Sequence, residues 1–286
     1  MEYLQTLIYG IVLGSIISVA AMSLSLTYGI LRFANFAHGE LLTVGAYCGF
    51  LFFTLAHLPM WLSFPLAMVV TAVLALGIDR ILFQRLRKST AVILLISSFG
   101  VALILRSGVQ LIFGPDTAVY QEGIEFPIRV GDIRIKPTHF YIVGGAILIV
   151  IALHLFLTRT KVGKAMRAMS DNADLARISG IDTERVIMWT WIVGGAIAGA
   201  SGVFVAMDTQ LHPVMGFRLL LAIFAAAIFG GIGKPYGAIL GGLVIGITEE
   251  FSTFVISPGY KPAVAFVVMV LVLIIRPQGL LGGVKT

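Results

Sequence analysis

Long apolar runs, broken by short charged or glycine- and proline-rich segments, set the pattern of this chain. The first run, Tyr3 to Leu31, contains no Asp, Glu, Lys or Arg. As a helix rising 1.5 Å per residue it extends roughly 40 Å, enough to cross a bilayer core with tilt. It follows Glu2 rather than a basic segment and is longer than a secretory apolar core, so it reads as a retained transmembrane helix. Later runs predict helices near 41–58, 63–83, 91–113, 139–158, 186–206, 219–232, 235–254 and 262–275. Gly230, Gly231, Gly233 and Pro235 separate two segments close to the minimum spanning length. A broken or re-entrant arrangement is therefore an alternative to two full crossings there, and also around Asn35 to Glu40. The expected fold class is an all-α polytopic membrane protein with about eight to nine transmembrane helices, forming one domain over residues 1–286.

Composition changes this picture only by excluding others. Hydrophobic residues make up 58% of the chain and charged residues 12%, against roughly 25% charged in an ordinary soluble domain. That excludes a soluble enzyme, a disordered chain and a disulfide-built module. The 32 glycines suit helices that approach closely in lipid. The single cysteine, Cys48, permits no intrachain disulfide and no cysteine-rich metal site.

The net charge of +6 points to lipid-side asymmetry rather than to nucleic acid. With the N-terminus outside and nine crossings, fourteen of the 20 Lys and Arg residues fall on one side. Five fall on the other (Arg129, Arg134, Lys136, Arg218 and Lys261), and Arg106 lies within a span. The excess of basic residues assigns the first side to the cytoplasm and predicts a cytoplasmic C-terminus.

Two loops stand out. The outer loop 114–138 carries Glu122, Glu125 and Asp132 among basic residues. Alternation in 124–130 and 132–136 suggests a small β-hairpin with Gly131-Asp132 in its turn, either an outer cap or a plain solvated loop. The inner loop 159–185 holds six of the fourteen basic residues. Asp171 and Asp174 mark a candidate helix start, Gly180 a stop, and Asp182 or Thr183 a cap for the next helix. Met166, Met169, Ala173 and Ala176 recur at helical spacing. Such a stripe must pack against the chain's own helix ends, another subunit or the bilayer surface.

No catalytic set is visible. His38, His57, His139, His154 and His212 stand apart from any second metal ligand at a suitable spacing, and Gly230 to Pro235 departs from the phosphate-loop pattern. Charges at membrane depth are functional candidates because burying them in hydrocarbon is costly. Arg106 is one, unless it snorkels outward. Glu249, with Glu250, either faces outer water or lines the mouth of a pathway. The polar stretch around Asn35, His38, Gly39 and Glu40 reads as a gate or pathway element, or as an inner-surface loop.

Four separated motifs carry a resemblance. Residues 27–40, 163–182, 229–238 and 276–282 resemble, in order, signatures of the LivH/LivM-type permeases, membrane subunits of bacterial branched-chain amino acid ABC importers. The resemblance covers nearly the whole chain, and the short length is closer to LivH. Lys164 and Met166 depart mildly from many relatives. The resemblance implies an ABC importer permease fold in the bacterial inner membrane. It also implies a second related permease subunit in a heterodimer, two cytoplasmic ATPase subunits and a periplasmic substrate-binding protein. ATP and Mg would be used by the ATPases, with no cofactor or metal held by this chain. Residues of 159–185 would then couple to the ATPases: Gly163, Lys164, Met166, Arg167, Met169, Asp171, Asp174, Arg177 and Gly180. The implied cargo is leucine, isoleucine and valine. An importer of urea or short-chain amides shares the signatures. An ion-coupled carrier is disfavoured by the scarcity of mid-span carboxylates, and a membrane enzyme by the lack of a nucleophile or base.

Overall fold

The computed structural model describes residues 2–120, 127–130, 133–276 and 278–282. Glu122, Glu125, the Gly131-Asp132 turn, Pro277 and Lys285 lie outside the described residues. Each expected apolar run is helical: α1 (Glu2–Leu31), α2 (His38–Phe50, continued by a π-helical turn to Leu55), α3 (Met60–Ile78, continued through a π turn into α4, Gln84–Leu86), α5 (Ala91–Phe113) and α6 (Pro137–Arg159). After these come α7 (Lys161–Asp171), α8 (Ala173–Ile178), α9 (Thr183–Asp208), α10 (Met215–Gly230), α11 (Pro235–Ser252) and α12 (Lys261–Ile275). Six of the described helices are long and apolar enough to cross a membrane.

α1 and α9 form the centre of the bundle and are mostly buried. α1 has almost no polar face, as expected of a helix surrounded by protein. Small residues set the distances at its surface. A Cβ on Gly242 would lie 2.4 Å from the Ser18 backbone, and one on Gly246 would lie 2.3 Å from Gly14. α11 therefore runs against α1 nearly backbone to backbone, as small-residue pairs allow in lipid. Serines of α1 add links to two neighbours: Ser18 Oγ donates to the Ile239 carbonyl of α11 at 2.7 Å and Ser23 Oγ to the Gly194 carbonyl of α9 at 2.7 Å.

Two helices start inside the bundle. His38 Nε2 lies 3.2 Å from the Ala20 carbonyl oxygen. Ala20 is about 17 Å along the α1 axis from Leu31, so residues 32–37 climb back into the bundle before α2 begins. α10 meets α2 at this depth, with Gly216 N–H donating to Thr43 Oγ1 at 3.2 Å. The expected break around Asn35 to Glu40 is present. The expected start of the later helix at 219 is corrected to Met215, which moves Arg218 from the outer loop into the bundle.

The hairpin end carries β1 (Ile128–Val130) and β2 (Ile133–Ile135), paired antiparallel with Arg129 opposite Arg134. Gln5 holds β2 through both amide atoms, at 2.7 Å to the Arg134 carbonyl and 2.9 Å from its N–H. Residues 114–120 fold back onto the bundle, since Ala118 pairs with Leu211 and Tyr120 Oη donates to the Ala46 carbonyl at 2.5 Å. Burial raises the Tyr120 phenol above its ordinary range. Residues 118–120 and β2 are thus tied to the bundle rather than left as a plain solvated connection.

At the opposite, basic end, residues 160–182 hold two helices. Thr160 caps α7 by accepting from Gly163 N–H at 2.9 Å. The expected start at Asp171 is corrected: Asp171 ends α7, and Asn172 breaks the chain and caps α8, accepting from Asp174 and Leu175 N–H at 3.1 and 3.0 Å. An amide one residue beyond the helix end serves as the cap, so Asp171 and Asp174 are left exposed. Gly180 stops α8 with φ +82°, and Asp182 caps α9 through Arg185 N–H, both as expected.

Candidate functional site

Two sets of residues bring separated parts of the sequence together. The first lies at the meeting of α2 and α10. Asn35 Oδ1 accepts from Ala37 N–H at 3.0 Å, and its carbonyl accepts from His38 N–H at 3.2 Å, turning the chain into α2. Because a carbonyl only accepts, the His38 ring donates to Ala20. Gly39 is required by closeness: a Cβ there would sit 2.6 Å from the Gly216 carbonyl oxygen. Glu40, one position on, is 1% exposed. It accepts from Arg106 Nε at 3.0 Å and Nη2 at 2.5 Å, and the guanidinium also rests 4.4 Å above the Phe217 ring.

The snorkelling reading of Arg106 is therefore corrected. The side chain turns inward because a buried carboxylate is available, and each charge compensates the other. Asn35, His38, Gly39, Glu40 and Arg106 form one cluster. Glu249 does not join it. It is 4% exposed near the hairpin end of α11, beside Glu250, which pairs with Lys261 at 2.5 Å. Its expected exposure to outer water is corrected, since packing of α11 on α1 covers it.

The second set lies at the basic end, where the four motifs meet. Arg32, in the left-handed region at φ +60°, ends α1 and donates from Nη2 to the Ser170 carbonyl at 2.5 Å. A Cβ on Gly29 would lie 3.0 Å from Ser170 Oγ and 3.1 Å from the Gly233 carbonyl oxygen. Lys234 reaches Asp171 at 3.9 Å. Leu280 and Leu281 N–H donate to the Phe229 and Gly230 carbonyls at 2.8 and 3.2 Å. Residues 29–32, 170–171, 229–234 and 278–282 thus form one junction.

Of the expected coupling residues, Met166 and Met169 are buried, together with Ala176. The apolar stripe packs on the chain's own helix ends. Gly163 allows this closeness, because a Cβ there would sit 2.2 Å from the Phe156 carbonyl oxygen. Lys164, Arg167, Asp171, Asp174, Arg177 and Gly180 are exposed. Two further exposed residues escaped the sequence reading: Leu175 at 56% and Ile178 at 81%. A start at Asn172 would have placed both on the outer face of α8. Sequence reasoning also missed the Arg87 bridge, which joins Asp79 at 2.7 Å and contacts Glu184 at the foot of α9.

Comparison with known proteins fits this arrangement. The family model "Branched-chain amino acid transport system / permease component" matches residues 6–273. The chain is 33% identical over 298 residues to the LivH high-affinity branched-chain amino acid permease of Escherichia coli K12, covering 99% of this chain and 96% of that one. It is 32% identical over 300 residues to the BraD permease of Pseudomonas aeruginosa, covering 98% and 96%. A probable LivH permease of Methanocaldococcus jannaschii is 29% identical over 288 residues, covering 95% and 90%. A bundle with two helices that start at mid-depth and four motifs gathered at one end is, in this chain, a multi-pass membrane permease that belongs to the branched-chain amino acid transport system permease family.

Proposed function

We propose that this chain is one of two related permease subunits in an ATP-driven importer that moves leucine, isoleucine and valine across the bacterial inner membrane. The basic end and the C-terminus face the cytoplasm. Two cytoplasmic ATPases dock there, and a periplasmic binding protein delivers cargo to the hairpin end. Near full-length likeness to branched-chain amino acid permeases supports the cargo.

The observation that carries the mechanism is the union of α7 and α8 with the α1 end. α8 offers exposed Leu175 and Ile178 among charged neighbours, a small apolar knob suited to an ATPase cleft. Force on that knob reaches α7 through the Asn172 cap. It passes to α1 through Arg32 and Ser170, and towards α11 through Lys234. α1 and α11 are closely packed, and in this mechanism they move as a unit. Their motion shifts the level at which α2 and α10 meet. Moving residues 32–37 and 209–214, which have no continuous helix to bend, opens the path alternately to each side.

The deciding experiment is uptake in liposomes containing the complete complex, with leucine-loaded binding protein outside and ATP within. ATP-dependent leucine uptake is expected. Uptake without ATP removes the ABC mechanism, and ATP-dependent uptake of urea but not leucine reassigns the cargo.

A further inference from the structure

The sequence position of Arg218 suggests an outer loop, yet it lies on α10 one turn from the α2 junction. Its neighbour Phe217 carries the Arg106 guanidinium, and Gly216 is bonded to Thr43. These contacts put Arg218 about 20 Å from the basic end of α1, near the middle of the span. Arg106 is taken up by Glu40. Arg218 is exposed and has no hydrogen-bond or ion-pair partner among the described residues. A guanidinium in hydrocarbon is costly, so one at that depth points to protein or a water-filled path and calls for an anion.

The start of α10 is not itself the anion site. Met215, Gly216 and Arg218 N–H are already bonded to the His212 carbonyl, Thr43 Oγ1 and the Val214 carbonyl. The charged donors left without a partner among the described residues are those of the Arg218 side chain. Beside it on the same helix, Phe217 is 46% exposed, and Leu221 and Phe224 are half-buried. A fixed cation next to an apolar strip matches a small molecule with a carboxylate at one end and a branched hydrocarbon at the other.

We propose that Arg218 holds the α-carboxylate of the amino acid at mid-membrane during passage. The hydrocarbon side chain then lies along Phe217, Leu221 and Phe224, while the Glu40–Arg106 pair positions Phe217. A guanidinium takes a carboxylate through two parallel hydrogen bonds, and an ammonium offers only a point charge. This assignment rests on the importer reading and names the residue that meets its cargo.

The test uses the complete complex in liposomes with Arg218→Gln and Arg218→Lys. Arg218→Gln is expected to lower leucine uptake per ATP hydrolysed at least tenfold, with stimulation of ATP hydrolysis by the binding protein retained. Arg218→Lys is expected to recover part of the loss. Uptake per ATP within twofold of wild type in Arg218→Gln overturns the assignment. A second measurement covers poor assembly of that variant. In a Cys48→Ala background, the Arg218→Cys thiol is expected to react with a water-soluble anionic methanethiosulfonate during turnover. Reaction only with a lipid-soluble maleimide overturns the assignment. If the wild-type complex takes up no leucine, the importer reading fails, and the labelling still decides whether position 218 faces a water path.

Discussion

Arg106 and Glu40, 66 positions apart in the chain, meet inside the bundle with two guanidinium nitrogens on one carboxylate oxygen. Glu40 is 1% exposed and the Arg106 side chain 18%. Removing one partner leaves an uncompensated charge in a low-dielectric setting, which typically costs about 3–5 kcal/mol, whereas removing both can be nearly neutral. Glu40→Gln and Arg106→Met are each expected to lower the melting temperature and yield of the complex. The double variant is expected to be more stable than either single one. Thermal unfolding of the three purified variants checks this, and additive losses would contradict it.

The α2–α10 contact depends on the absence of side chains at Gly39 and Gly216. A Cβ on Gly39 would reach 2.6 Å from a carbonyl oxygen, and that backbone has no flexible end to move aside. Gly39→Val is expected to cost about 1–3 kcal/mol through overpacking and to reduce uptake more than ATP hydrolysis. Parallel measurement of both rates decides it.

The two faces of the inner helices predict opposite phenotypes. Met169 is 6% exposed and Ile178 81%. Met169→Asp buries a charge in the chain's own packing and is expected to abolish stable expression. Ile178→Asp is expected to leave expression and melting temperature unchanged while ATPase subunits are lost on purification or hydrolysis is uncoupled from uptake. Co-purification yields distinguish the two variants.

The Asn172 cap offers a smaller perturbation. Its side chain serves two N–H groups of α8, and loss of such a cap costs about 1 kcal/mol. Asn172→Ala is expected to fray α8 and lower uptake per ATP. Asn172→Asp, which keeps the acceptor, is expected to restore it.

A bulky residue on the α1–α11 seam tests the proposal that these helices move together. Gly246→Leu places a side chain where Gly14 backbone lies 2.3 Å from the Cβ position. Loss of the folded complex in detergent is expected, with size-exclusion chromatography as the measurement. An intact, active complex would separate α1 from α11 in the mechanism.

The sequence by itself determined which segments are apolar helices, because runs of this length and apolarity suit a bilayer, and charge scarcity makes them visible. It determined the stop at Gly180 and narrowed the next cap to Asp182 or Thr183, which are local matters of φ and one hydrogen bond; the structure chose Asp182. It also located the polar stretch from Asn35 to Glu40, since such residues interrupt any apolar run.

Only the tertiary structure decided where charges and stripes point. Arg106 snorkels or turns inward according to whether a carboxylate comes within reach, and Glu40 arrives from another helix. Met166 and Met169 advertised a face to be covered, but periodicity cannot say by what; the chain's own helix ends cover it, leaving Leu175 and Ile178 outward. Arg218 looked like a loop residue because α10 starts after His212-Pro213 at mid-depth, where Thr43 of α2 supplies a bond that no local signal announces. Local sequence sets which segments are helical and apolar. Long-range pairing of donors, acceptors and small residues sets which side of each helix meets its neighbour.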